Sequence, residues 1–309
     1  MKKIAYITGA KGFLGRYCAR YFASQDWKVA GIGNGAWLVS ERAQWGTDFW
    51  LESLVTTEAL ENLARQTGTP SAIIHCAGGS SVGASYQSPK EDFDRTVSST
   101  VEVLEFARRQ DAPVRVIYPS SAAVYGAATD MPMKEEAPLV PVSPYGLHKV
   151  QAEQCCRMYA QEWGVPVAIV RFFSLYGAGL RKQLLWDACQ KAVTNEFVFF
   201  GEGRDVRDWL YVSDAVRLVE LAVQQTSPDC PIVNGGTGVG VPICEILKYL
   251  GSIFSPKQKP LFSGQAKLGD PAYQIADTTR LDLWGFKATV SWQDGVRAYA
   301  DWFILESRP

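Results

Sequence analysis

The sequence predicts an α/β protein: a doubly wound parallel sheet followed by a smaller, irregular C-terminal domain. Three observations predict it. Short apolar runs alternate with helical patterns as far as Phe172. A glycine-spaced loop joins the first apolar run to the first helix. The length of 309 residues, 47% hydrophobic and 20% charged, suits one large α/β unit with a smaller appendage.

Strands are read at Ile4–Thr8, Lys28–Ile32, Ala72–Cys76, Val114–Tyr118 and Val167–Phe172. The stretch Ala72-Ile73-Ile74-His75-Cys76-Ala77 is a near-continuous apolar run, as expected of a strand covered on both faces. Helical patterns lie between the strands, at Leu14–Ser24, Thr57–Gln66, Glu91–Arg109 and Tyr145–Trp163. Parallel neighbours need long crossovers, so this alternation points to a parallel sheet with helices on both faces. Beyond Ser174 the rhythm is broken by Gly177, Gly179, Gly201, Gly203, Pro231 and Pro242. The expected division is 1–174 for the sheet domain, with segments near 205–236 returning to it. Residues 175–204 and 237–309 would form the second domain. Its last helix, Gln293–Leu305, is amphipathic and carries Trp302 and Phe303 for docking on the body.

Composition narrows the partners. The net charge of −1 gives no basic excess for nucleic acid or an anionic membrane. No apolar run approaches the roughly 20 residues of a membrane span. Lys2 and Lys3 precede a short apolar stretch that meets Gly9 at once, so no signal peptide is expected. The seven cysteines, at 18, 76, 155, 156, 189, 230 and 244, form no C-x-x-C pair. That pattern fits reduced thiols and a cytoplasmic location. His75 and His148 are the only histidines, and neither has metal-ligand spacing, so no metal is expected.

The first strand runs into Thr8-Gly9-Ala10-Lys11-Gly12-Phe13-Leu14-Gly15. Gly9 permits a tight turn, Gly12 lets backbone approach a diphosphate, and Gly15 lets the helix pack close to the strand. The amides of Phe13 and Leu14 open the helix, where unpaired N–H groups favour an anion. This is the phosphate loop of a Rossmann-type NAD(P) site. The acidic residue that usually binds the adenosine ribose about 20 residues on is missing, because the second strand ends Gly33-Asn34-Gly35. Asn34 offers a neutral hydrogen bond to a 2′-hydroxyl. Alternatively, the missing carboxylate leaves room for a 2′-phosphate near Arg42. NAD and NADP both stay open, with NAD favoured.

The segment Pro119-Ser120-Ser121-Ala122-Ala123-Val124-Tyr125-Gly126 precedes Ser143-Pro144-Tyr145-Gly146-Leu147-His148-Lys149, which opens a helix. Tyr145 and Lys149 are one turn apart and share a face. A nearby ammonium favours phenolate, which suits Tyr145 to acid–base work on a carbinol proton. Ser121 is placed to hydrogen-bond the same oxygen, and Lys149 to hold the nicotinamide ribose as well. Together with the glycine loop, this constellation resembles the extended short-chain dehydrogenases of the NAD-dependent epimerase/dehydratase family, over nearly the whole chain.

The resemblance implies Ser121, Tyr145 and Lys149 as the catalytic set, and it implies that Ala77-Gly78-Gly79 lines the cofactor. Arg171-Phe172-Phe173-Ser174 resembles the family's segment leading from the cofactor, at Phe172, toward the substrate, at Ser174, where Asn is usual. Arg207, in Gly203-Arg204-Asp205-Val206-Arg207-Asp208-Trp209, matches the arginine that reaches a nucleotide diphosphate; guanidinium suits bidentate phosphate contact. The alternative for Arg207 is a surface or ion-pair arginine, with Asp208 or Asp214. In Lys267-Leu268-Gly269-Asp270, Asp270 would take a ribose hydroxyl and Lys267 a phosphate. Thr96 stands where the family often has Asn. His148 stands where the family has a small residue, and is read mainly as a helix-packing or dimer-face residue.

The resemblance thus implies a nucleotide-sugar substrate and, foremost, 4-epimerisation of a UDP-hexose or similar sugar. Hydrogen would leave C4, the 4-keto sugar would turn over, and hydrogen would return to the other face. The main alternative is NADPH-dependent reduction of a nucleotide-linked keto sugar. A 4,6-dehydratase ranks lower, because Ala122 and Ala123 occupy the places of the family's Asp-Glu pair. A non-catalytic NAD(P)-binding protein ranks lower too, because Ser121, Tyr145 and Lys149 are all kept. Family habit adds a role in polysaccharide biosynthesis and a homodimer. In the dimer, Val97, Val101, Leu104, Met158 and Tyr159 on the Glu91–Arg109 and Tyr145–Trp163 helices would meet a second copy; the alternative is that the same residues are simply core.

Overall fold

A computed structural model of the chain describes residues 2–126, 130–265 and 272–307. The elements run β1 (Ile4–Thr8), α1 (Phe13–Ser24), β2 (Lys28–Gly33), α2 (Val39–Gln44), β3 (Phe49–Glu52), α3 (Thr57–Thr67), β4 (Ala72–His75), α4 (Val82–Gln87), α5 (Pro89–Phe93), α6 (Ser99–Arg108), β5 (Arg115–Ser121), α7 (Pro144–Trp163) and β6 (Val167–Phe172). There follow β7 (Ser174–Tyr176), α8 (Gln183–Thr194), β8 (Val198–Phe199), β9 (Val206–Tyr211), α9 (Val212–Gln225), β10 (Ile232–Gly235), β11 (Gly240–Pro242), α10 (Ile243–Phe254), β12 (Leu261–Phe262), β13 (Tyr273–Gln274), α11 (Thr279–Leu283) and α12 (Trp292–Glu306). The chain divides into two compact units. The first comprises 1–126, 139–171 and 216–233; the second comprises 127–138, 172–215 and 234–309.

Seven strands among the described residues form one sheet, in the order β10-β6-β5-β4-β1-β2-β3. β1 lies parallel to β2 on one side and β4 on the other, with Thr8 opposite both Ile32 and His75. From β1 the chain builds outward to β2 and β3, then crosses back to β4 and β5. The strand order therefore reverses between β1 and β4, and a doubly wound sheet binds its ligand at the carboxyl ends of such strands. The core beneath includes Tyr6, Ile32, Ile73, Val116 and Ile169 from strands, and Leu60, Leu63, Leu104, Phe106 and Tyr159 from helices. Each such side chain stabilises the fold by about 1.5–3 kcal/mol on burial.

Four differences from the sequence reading stand out. β3 was not expected: Phe49-Trp50-Leu51-Glu52 is a half-buried edge strand that lacks alternation. The helix expected over Glu91–Arg109 is interrupted, with α5 followed by a π-helical turn over Asp94–Ser98 before α6. The segment that rejoins the first unit is 216–233 and not 205–236. β9 is kept out of the large sheet by β7 and β13, which pair with it in parallel, and by β11, which pairs antiparallel. Finally, Val97, Leu104 and Tyr159 are 7%, 0% and 8% exposed, so they are core rather than a free face. Met158 and Trp163 of α7 remain exposed.

Candidate active site

The glycine loop is shaped as its sequence demands. Gly9 has φ +64°, and a Cβ there would meet the Ala77 backbone nitrogen at 2.9 Å. A Cβ on Gly15 would lie 2.3 Å from the Gly9 carbonyl oxygen, so only glycine lets α1 start this close to β1. Gly12 is the residue ahead of α1; no side chain caps the helix, and its first turn carries no acidic residue. The amides of Phe13 and Leu14 at this end suit a diphosphate, so the cradle fits the dinucleotide that the sequence implied.

Asn34 is exposed just past the end of β2. Sequence reasoning missed Lys11, whose Nζ donates to the Ala36 carbonyl oxygen at 2.6 Å and so brings a cation to the end of β2. The lysine was visible within the glycine loop, but its reach across to Ala36 was not.

Thr8 at the end of β1 ties the loop to β4. Its hydroxyl accepts the Ala77 N–H at 3.0 Å and pairs with His75 Nδ1 at 2.7 Å. Burial pushes His75 down to about 3, with Lys149 adding to the shift, so the imidazole is neutral. The next turn is held by Thr96, whose hydroxyl accepts the Gly79 N–H at 2.9 Å. Ala77, Gly78 and Gly79 thus come together beside Gly9, and a Cβ on Gly78 would lie 3.8 Å from Lys149 Nζ.

Ser143 begins α7 by accepting the Gly146 N–H at 3.1 Å, and Pro144 follows at the first helical position. Ser85 accepts the Tyr145 N–H at 3.0 Å. These caps set the first turn of α7, so Tyr145 and Lys149 face the end of β5. Lys149 is buried, donates to the Pro119 carbonyl oxygen at 3.0 Å, and stands 5.9 Å from the centre of the Tyr145 ring. Ser121 closes the group from the end of β5 and hydrogen-bonds the half-buried Tyr145. Its hydroxyl also accepts the Ala123 N–H at 3.2 Å.

The electrostatics correct one expectation. Burial pushes the Tyr145 phenol up, the Ser121 hydrogen bond pulls it down, and the Asp92 charge pushes it up again. The ammonium is not what lowers it. Lys149 is itself pushed down to about 8 by burial, partly offset by the charges around it.

Behind this group lies a buried ion pair. Arg171 makes two hydrogen bonds to the Glu153 carboxylate, 2.9 Å from Nε and 2.7 Å from Nη2, and a third to the Tyr125 hydroxyl at 2.9 Å. Ser120 donates to Glu153 at 2.6 Å. The pair fixes β6 against α7 and the segment holding Ser121.

The substrate residues expected from the sequence are placed less completely. Ser174 opens β7 and Phe172 ends β6. Arg207 lies half-buried on β9, with Nη1 donating to the Val206 carbonyl oxygen at 3.0 Å. Asp208 accepts from Thr237, Gly238 and Ala276, and Asp214 from Thr289 and Val290. Lys267 and Asp270 lie outside the described residues. The second unit also has a cleft of about 640 Å³ lined by Trp209, Thr237, Val241, Lys287 and Trp292, among others, and neither Ser174 nor Arg207 lines it. Among the described residues no cluster of His, Cys, Asp and Glu could hold a metal, and no helix is long and apolar enough to cross a membrane.

The sequence pattern of the NAD dependent epimerase/dehydratase family matches residues 5–235, from β1 to the end of β10. The chain belongs to that family. A UDP-glucose 4-epimerase of Oryza sativa is 29% identical over 297 residues, covering 85% of this chain and 80% of that protein. Among solved structures, UDP-glucose 4-epimerase from Thermotoga maritima with UDP-glucose superposes with a TM-score of 0.89 at 24% identity. It covers 99% of this chain and all of the other (100%), and so establishes the shared fold. An NAD dependent NDP-hexosamine 5,6-dehydratase of tunicamycin biosynthesis superposes at 0.86 with 27% identity, covering 100% of this chain and 99% of the other. Within the epimerase/dehydratase family the sheet order and glycine cradle described here are the expected frame for the cofactor.

Proposed function

We propose that this family member is an NAD-dependent nucleotide-sugar 4-epimerase acting on a UDP-hexose through a transient 4-keto sugar. One observation carries the reading: Ser121, Tyr145 and Lys149 converge beside Gly78 at the switch point of the sheet, with Ala122 and Ala123 next to them. Bound NAD supplies the site that accepts and returns the hydrogen of C4. Tyr145 takes the C4 hydroxyl proton and gives it back, Ser121 hydrogen-bonds the same oxygen, and Lys149 holds the ribose and keeps positive charge near the phenol. Arg207 is assigned to the diphosphate, with Lys267 and Asp270 further along the nucleotide.

The likeness to UDP-glucose 4-epimerases supports the substrate class. In the 4,6-dehydratase pattern an Asp-Glu pair fills the places of Ala122 and Ala123, and two alanines offer no proton, which ranks 4,6-dehydration below epimerisation. The assay is incubation with UDP-galactose and NAD, with sugar nucleotides separated by anion exchange. UDP-glucose is the expected product; an unchanged substrate pool rejects the hexose reading.

A second reading is favoured by Lys11, which brings a cation to the end of β2, where the chain continues Gly33-Asn34-Gly35 without an acidic residue. It is NADPH-dependent reduction of a nucleotide-linked 4-keto sugar. Identifying the dinucleotide released from the purified protein separates the two, since an epimerase returns its NAD and a reductase consumes NADPH.

Two coarser proposals accompany the main one. Met158 and Trp163, exposed on α7, support a homodimer, and a purely monomeric sedimentation profile at micromolar concentration rejects it. The free cysteines, with Cys18, Cys156, Cys189 and Cys230 buried, support a reducing cytoplasmic setting.

A further inference from the structure

Asp92 and His148 form a pair that none of these roles uses. His148 Nδ1 lies 2.6 Å from Asp92 Oδ2, and the residues are 8% and 6% exposed. A buried carboxylate is costly without a partner. His148 provides one from α7, one position before Lys149. Of the two roles read for His148, helix packing or a dimer face, this contact is the first, joining α7 to α5. The edge of Phe93 packs on its imidazole, with ring centres 5.5 Å apart and planes at 85°.

The other carboxylate oxygen points to the opposite wall. A Cβ built on Gly79 would lie 1.9 Å from Asp92 Oδ1 and 3.1 Å from Thr96 Oγ1. Asp92 therefore rests directly on the Gly79 backbone while Thr96, one turn later, binds the Gly79 N–H. One side of Asp92 touches the turn Ala77-Gly78-Gly79. Its other side touches α7 within the turn that carries Tyr145 and Lys149.

We propose that the Asp92–His148 pair is a positioning strut. It sets the distance between the Gly79 turn and α7, and thereby the width of the slot between Gly78 and Lys149 Nζ that receives the nicotinamide ribose. The strut rests on the dinucleotide reading above. It tolerates no side chain at position 79, because that space is filled by the carboxylate. Asp92 also contributes charge to this slot. The titratable groups facing Lys149 and Tyr145 are Cys76 and His75 from the end of β4, Tyr118 from β5, Glu153 and Cys156 from α7, and Asp92 itself.

The test is NADH affinity, read by fluorescence titration without any sugar, together with Tm. Asp92→Ala and Gly79→Ala are each expected to weaken NADH binding about tenfold, a coupling in the ordinary range for contacting residues. Asp92→Asn keeps the shape and an acceptor for His148, and should stay within about threefold of the unaltered chain. The double variant Gly79→Ala/Asp92→Ala removes the collision along with the strut, and should bind no worse than the weaker single variant. A merely structural role would lower Tm and leave the affinity of the folded protein alone. Gly79→Ala keeps both members of the Asp92–His148 pair and only pushes the carboxylate off its seat, so it tests the strut even where Asp92→Ala does not fold. Unchanged NADH affinity in folded Gly79→Ala, or strictly additive losses in the double variant, would overturn the strut while leaving the dinucleotide reading intact. No NADH binding by the unaltered chain would overturn both.

Discussion

Lys149 Nζ donates to the Pro119 carbonyl oxygen at 3.0 Å, which anchors the first turns of α7 to the end of β5. The bond holds the ammonium in a buried place, and burial brings its value from 10.5 down to about 8. The folded value lies below the unfolded one. The unfolded chain therefore binds more protons between about pH 8 and 10.5, and this group makes stability rise with pH across that window. Below about pH 8 the full cost of the buried charge is present. Lys149→Met should raise Tm at pH 7 relative to the unaltered chain, and the gap should close by pH 10.5. Turnover should fall by about 10²–10⁴. Paired thermal scans across this range, with an activity assay, check both.

Ser121 is the one group that pulls Tyr145 down against burial and the Asp92 charge. Ser121→Ala should therefore move the rise of kcat/KM with pH to higher pH, as well as lower its plateau. Tyr145→Phe should lose turnover by about 10³ or more while NADH affinity stays within about threefold, because it removes the proton carrier and keeps the ring. A pH–rate profile of Ser121→Ala that superposes on the unaltered one would remove Ser121 from this role.

The buried Arg171–Glu153 pair makes a stability prediction. Both side chains are essentially inaccessible, at 0% and 1%. Glu153→Ala strands a guanidinium and should cost about 3–5 kcal/mol, whereas Arg171→Met with Glu153→Leu should recover most of it. Urea midpoints of the two proteins make the comparison.

His75 makes the acid side testable. Burial holds it at about 3 against an unfolded value of 6.5, so the unfolded chain gains a proton first as pH falls. Stability should decline from about pH 6.5 toward pH 3 through this group and change no further below that. His75→Asn should flatten that part of the stability–pH curve, which acid titration followed by circular dichroism would reveal.

Most of the sheet was legible because its strands are continuous apolar runs, and the glycine loop was legible because spacing alone carries it. Tyr145 and Lys149 could be paired from helical periodicity, and Ser121 from the segment ahead of that helix, although β5 runs on to Ser121 rather than stopping at Tyr118. The edge strand β3 was not legible, since Phe49–Glu52 is half-buried and lacks a period. The interrupted helix escaped because residues 89–108 keep helical propensity through the π turn. Asp92 was out of reach for a different reason. Its importance lies in contacts with Gly79 and His148, which are distant in sequence, and nothing local marks it; Thr96 was marked only by the resemblance, and its bond to Gly79 was not. The sign of the Tyr145 shift was misread because the ammonium was counted from its position in the sequence, and burial was not.

The central claim is that hydrogen leaves C4 of the sugar and returns to the same carbon. The most direct test is incubation of UDP-galactose carrying deuterium at C4 with the NAD-loaded protein, followed by mass spectrometry of the products. The expected product is UDP-glucose that retains the deuterium at C4, with no net formation of NADH. Deuterium lost to solvent, or a dehydrated product in place of the epimer, would contradict it.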